Sequence, residues 1–142
     1  MALLNVRKSP ILLVEPDLKR LQQLRTELSR SGFSNIIPSI NAQSAILELK
    51  RHKLDMIILD CDLPDIPGLH LLKAFRSGNS KVPIVMISQK AEDERKQEAK
   101  SLGANEFYSG SFVTGEIVKR LDELLLEKLG IVSSRLATEE SN

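Results

Sequence analysis

An apolar run, Met56 to Leu59, stops abruptly at Asp60, and Asp62, Pro64, Asp65, Pro67 and Gly68 follow without another apolar pair. No other stretch constrains the fold as strongly. A short uninterrupted apolar run reads as a strand buried on both faces, and the acidic and turn-forming residues after it read as the loop leaving its carboxyl end. In open parallel sheets that edge is where binding sites are built. Asp60 is therefore the centre of a candidate carboxylate site.

The pattern recurs along the chain. Residues 11–14, ILLV, end in Glu15, Pro16 and Asp17, and VPIVMI, residues 82–87, ends in Ser88. Weaker strand signals are NIIPSI (35–40), which Pro38 assigns to a sheet edge because proline donates nothing to the ladder, and EFYS (106–109). Between them lie helical patterns. Leu18, Leu21, Leu24 and Leu28 repeat at helical spacing after Asp17, a capping residue, and Pro16, which suits a helix start, and Gly32 supplies the stop. Asn41 caps a helix with Ala42, Ala45, Ile46 and Leu49 on one side, and a short helix from Leu69 to Arg76 offers Leu71, Leu72 and Phe75. From Ala91 to Leu102 only Ala91, Ala99 and Leu102 give an apolar side, so this helix packs weakly and is suited to move. A last helix runs from Thr114 to Leu129. Its Ile117, Val118, Leu121, Leu124, Leu125 and Leu129 span roughly 140° of arc, and Leu126 widens the arc to about 200°. Those extra leucines either lie over the edge of the core or form a partner or homodimer surface.

Five strand signals alternating with five helix signals predict an α/β fold: a doubly wound, five-stranded parallel sheet flanked by five helices. At 142 residues the chain fits one domain. Residues 1–10 are an N-terminal extension, 11–129 the domain, and 130–142 a tail or linker stub of disordered character.

Composition narrows the function by exclusion. With 20 basic and 19 acidic side chains, bulk charge points to no polyanion. The basic residues of the helices, such as Lys50, Arg51, Arg95, Lys96, Lys119 and Arg120, are scattered, and too few residues follow Leu129 for a helix-turn-helix unit, so nucleic-acid binding is not expected. One cysteine, Cys61, and two histidines give no zinc-type spacing; Cys61 reads as a small residue packed after a strand and His70 as a surface side chain. The absence of a membrane-length apolar run and of a full signal-peptide core in MALLNVRKSP predicts a cytoplasmic protein. Glu15, Asp60 and Ser88 end three predicted parallel strands. Converging carboxylates favour a hard cation such as magnesium, and a carboxylate beside one can act as a nucleophile toward phosphorus.

From Ile11 to about Leu129 the chain resembles the receiver domain of bacterial two-component response regulators, a flavodoxin-like fold. The resemblance rests on ILLVEPD at the first strand, DMIILDCDLPDIPGLHLLKAFR around the third, VPIVMIS at the fourth and LGANEFYSGSF at the fifth. It implies that Asp60 accepts a phosphoryl group from a histidine kinase. It also implies that Glu15, Asp60 and the backbone carbonyl of Asp62 hold magnesium, that Ser88 is the switch hydroxyl, and that Phe107 is the aromatic that changes rotamer between states. Partners would meet the face of the fourth helix, fifth strand and fifth helix.

The departures act together. The acidic pair at the first strand is Glu15 followed by Pro16, so one carboxylate is gone; Asp17 lies a residue later and serves as a cap. The lysine that ordinarily follows the fifth strand is replaced by Gly110-Ser111, with Lys90 the nearest basic residue to the Ser88 end and no obvious substitute. Gln89 stands where the family has a small residue and narrows access to Asp60. Fewer carboxylates weaken a cation, and loss of the lysine removes charge stabilisation from the phosphoryl group. The expectation is an atypical, stand-alone receiver that signals by protein–protein interaction, with weak magnesium binding and weak or absent phosphorylation. The alternative is a working magnesium-dependent phospho-receiver whose only enzyme-like activity is its own phosphorylation and dephosphorylation.

Overall fold

A computed structural model describes residues 6–78, 80–90, 93–110 and 115–130. In chain order the elements are β1 (Ile11–Val14), α1 (Leu18–Arg30), β2 (Ile36–Ser39), α2 (Ala42–Arg51), β3 (Met56–Asp60), α3 (Gly68–Ser77), β4 (Ile84–Ser88), α4 (Asp93–Ser101), β5 (Glu106–Ser109) and α5 (Gly115–Lys128). All strand pairs are parallel, in the order β2-β1-β3-β4-β5. The doubly wound sheet predicted from the alternation is present, and Pro38 lies on an edge strand as its missing donor requires.

Alternation along the strands divides the core into two layers. Leu12, Val14, Ile57, Leu59, Ile84, Met86 and Phe107 face α2, α3 and α4, meeting Ala45, Leu71, Leu72, Phe75 and Ala99. Ile11, Leu13, Met56, Ile58, Val85 and Ile87 face α1 and α5, meeting Leu21, Leu24, Leu28, Leu121, Leu124 and Leu125. Each such aliphatic side chain withdrawn from water contributes roughly 1.5–3 kcal/mol. β1, β3 and β4 are buried throughout, hence their unbroken apolar sequence.

The helix ends follow their capping residues. Asp17 accepts from the Lys19 and Arg20 amides at 3.0 and 3.2 Å, and Asn41 from Ser44 at 2.7 Å. Asp65 adds an unforeseen cap from the β3–α3 loop, accepting from Ala42 and Gln43 at 2.9 Å each, and these amides hold its carboxyl below the usual range.

Leu18 and Ile46 depart from their expected apolar faces. Leu18 is 68% exposed, because the first turn of α1 stands beyond the sheet, and Ile46 is 36% exposed on the outer side of α2. Leu126 packs partly buried against the α1/α5 layer, so it lies over the edge of the core; Leu129 is exposed. Cys61 is buried and His70 exposed. Residues 6–10 are integral to the domain: Val6 is buried, and Arg7 pairs with Asp122 of α5 at 2.8 Å, donates to the Ser31 carbonyl and stacks on Phe33. Ala91, Ser111, Thr114, the first five residues and the tail from 131 lie outside the described residues.

Candidate functional site

Register brings the site together. Val14 of β1 pairs with Leu59 of β3, so the next residues, Glu15 and Asp60, leave the sheet side by side. Both are buried, at 1% and 3% exposure. Ser88, ending β4, is fully buried one strand away and aligned with Ser109 of β5. The three strand-end residues named from the sequence thus share one sheet edge.

Each is already engaged within the protein. Asp60 Oδ1 accepts from the Asp62 amide at 2.6 Å, which fixes the carboxyl at the mouth of the loop. Gly68, opening α3, makes that loop possible: a Cβ there would lie 2.1 Å from the Asp60 carbonyl oxygen. Glu15 accepts from the Asp17 amide at 3.1 Å through Oε2. Its other oxygen lies 2.9 Å from Arg20 Nε. Neither atom of that contact has a directed hydrogen bond, so the two groups lie close without one between them. Arg20 Nη2 donates to the Gly110 carbonyl at 2.9 Å, linking α1 to the end of β5.

A second guanidinium closes the opposite side. Arg95 of α4 forks onto both oxygens of Asp62 at 2.9 and 3.2 Å and reaches Ser88 Oγ at 3.4 Å. Ser88 Oγ also accepts from the Lys90 amide at 3.1 Å. Neither arginine was singled out by the sequence reading. Arg20 falls in the first turn of a helix just after Glu15, a position whose side chain points back toward the strand end, and that was the available signal.

Burial and the adjacent Asp60 carboxyl push the Glu15 carboxyl up to about 8; the Asp17 amide and Arg20 pull the other way and lose. At neutral pH Glu15 therefore keeps its proton. Phe107 is buried in the same layer as Met86 and Ala99, under α4, and Gln89 and Lys90 are exposed.

The resemblance implies magnesium at this position. Magnesium requires oxygen ligands in near-octahedral array. Here Pro16 supplies none, Glu15 stands against a guanidinium and the Asp62 side chain is taken by Arg95, which leaves only Asp60 and the Asp62 backbone carbonyl. Among the described residues no group of three His, Cys, Asp or Glu converges as a metal site. As folded, the set does not fit a resident magnesium ion.

The fold agrees with known proteins. Residues 11–122 match the family model of the response regulator receiver domain. The KDP operon transcriptional regulatory protein KdpE of Escherichia coli is 33% identical over 111 residues, covering 78% of this chain and 48% of that protein. The virulence transcriptional regulatory protein PhoP of Salmonella typhimurium is 28% identical over 123 residues, covering 87% of this chain and 54% of that protein. The chain thus spans about half the length of the curated relatives it matches. Among solved structures, a two-component response regulator from Clostridium difficile superposes with a TM-score of 0.73 at 26% identity, covering 85% of this chain and 98% of that one. The receiver domain of a Francisella response regulator gives 0.77 at 23% identity, covering 84% and 98%. No helix among the described residues is long and apolar enough to cross a membrane. On the family match over most of its length, the chain belongs to the response regulator receiver domains of two-component signalling.

Proposed function

We propose that this receiver domain works as a protein-interaction module whose output face is α4, β5 and α5, with phosphoryl transfer to Asp60 weak or absent. One observation carries the reading: the groups that phosphoryl transfer would use are already paired internally, Glu15 with Arg20 and Ser88 and Asp62 with Arg95. The pairing to α4 also supports the choice of face. That helix buries only Ala99, so its contacts with Asp62 and Ser88 are a large share of what positions it. The face itself is polar, with Arg120 of α5 on Glu106 of β5 at 2.7 Å, and a partner would meet it through charge. Asp60→Asn is the test. Unchanged partner binding and output in cells is expected; loss of both would overturn the proposal.

A second reading, a working phospho-receiver fed by a histidine kinase, is favoured by the side-by-side burial of Glu15 and Asp60 with Ser88 at the same edge. In it, a carboxylate oxygen of Asp60 attacks phosphorus, the bond from phosphorus to the donor breaks, and the leaving group departs with its electron pair. Ser88 Oγ and Arg95 would then hydrogen-bond the transferred group. No mass gain from a small phosphodonor, under conditions where a regular receiver reacts, excludes it.

A further inference from the structure

We propose that Arg20 is the built-in cation of the Glu15–Asp60 site and excludes a divalent ion from it. The inference rests on reading that pair as the receiver's acidic centre, and it names the side chain that makes metal binding weak.

The position of Arg20 is over-determined. Asp17 starts α1, and the helix then buries Leu21, Leu24 and Leu28, which fixes the face that Arg20 presents. Side chains in a helix tilt toward its N-terminus, so Arg20 leans back over the end of β1. Its side chain is only 11% exposed and spans two strand ends, with Nε at Glu15 and Nη2 on the Gly110 carbonyl. Gly110 sits at φ 103°, a conformation that disfavours any side chain there, so the end of β5 offers a carbonyl and no cation. The charge comes from α1 instead.

A guanidinium in this place opposes magnesium in two ways. It stands against Glu15 Oε1, one of the few oxygens a metal could use, and its charge cannot be shed by deprotonation. A divalent ion at the same carboxyls would lie beside a fixed positive charge in a water-poor setting, where repulsion is weakly screened. Binding therefore requires Arg20 to leave both Glu15 and the Gly110 carbonyl. The Nε–Oε1 contact lacks a directed hydrogen bond, so the Gly110 bond is what keeps the group in place.

The test is magnesium titration of the whole chain by amide NMR, following the Arg20 Nε–H signal and the amides of Asp60 and Cys61. In the wild type a midpoint above about 5 mM is expected, with the Arg20 signal unmoved at lower concentrations. In Arg20→Gln the midpoint should fall by about tenfold or more. A wild-type midpoint below about 5 mM, or a folded Arg20→Gln chain that binds no tighter than wild type, overturns the proposal. Should Arg20→Gln not fold, the wild-type titration decides alone. The two readings fail separately: tight magnesium in the wild type removes this role for Arg20, whereas the interaction-module reading stands or falls on partner binding by Asp60→Asn.

Discussion

Replacing Glu15 by glutamine should make the protein more stable at alkaline pH, although it removes a residue at the heart of the site. A Glu15 carboxyl raised to about 8 from its ordinary 4.5 means that the folded chain holds a proton the unfolded chain releases. Between those values the unfolded state binds fewer protons, so stability falls as pH rises. The penalty is absent below about pH 4.5, grows through the interval and is complete above about pH 8. At 1.36 kcal/mol per pKa unit its ceiling is roughly 5 kcal/mol, and between pH 6 and pH 9 it amounts to about 2–3 kcal/mol. Glutamine keeps the shape and still donates to Asp60 as protonated Glu15 does, but cannot ionise. Urea unfolding at pH 6 and pH 9, in chelator, should show the wild type losing about 2–3 kcal/mol more than Glu15→Gln over that interval. Tyr108, whose phenol is raised by burial, and the other titrating groups are common to both chains and cancel in the difference. Equal losses in the two proteins would refute the raised Glu15 carboxyl, and with it the claim that burial and Asp60 outweigh Arg20 there.

Other substitutions probe the frame around the site. Gly68→Ala sets a methyl group 2.1 Å from the Asp60 carbonyl oxygen and 2.9 Å from Cys61 Cα, both backbone, and should cost roughly 2–4 kcal/mol in urea unfolding. Asp122→Ala strands the Arg7 guanidinium and should cost about 1–3 kcal/mol, with faster amide exchange at Arg7, Lys8 and Ser9 as the local sign. Arg95→Ala should leave global stability within about 1 kcal/mol, since its partner Asp62 is half exposed, while protection of the α4 amides falls by about tenfold. Unchanged exchange in α4 would show that the helix does not depend on this tether.

What the sequence disclosed was local. Runs such as MIIL and ILLV name buried strands because a strand covered on both faces has no polar position to spend, and the ending of each run at Glu15, Asp60 or Ser88 names the candidate edge. Pro38 marked the edge strand for an equally local reason. Helical spacing was less faithful, since Leu18 and Ile46 keep the period yet point past the sheet. The features that went unread join distant parts of the chain: Arg7 to Asp122 across 115 positions, Arg20 to Gly110 across 90, Arg95 to Asp62 across 33 and Asp65 to Ala42 across 23. A long cationic side chain has no periodicity of its own, and only the assembled sheet determines which carboxylate it meets.

The two arginines at the site differ in what holds them, and this decides where a signal can travel. Arg20 belongs to α1, anchored by three buried leucines, and is tied at both ends of its guanidinium to the sheet edge. Arg95 belongs to α4, which buries a single alanine and lies over Phe107. A change at Asp60 that alters the local charge meets a fixed cation on one side and a movable one on the other. Displacement is then expected in α4, which Arg95 ties to Asp62 and which packs over Phe107. Linkage makes the relation reciprocal: a partner that prefers α4 released from Asp62 also frees Ser88 Oγ to donate to an incoming phosphoryl group. A partner of this kind should therefore speed modification of Asp60 by a small phosphodonor in the wild type and have no such effect in Arg95→Ala, where the tether is already gone. Equal acceleration in both proteins would mean that coupling bypasses Arg95.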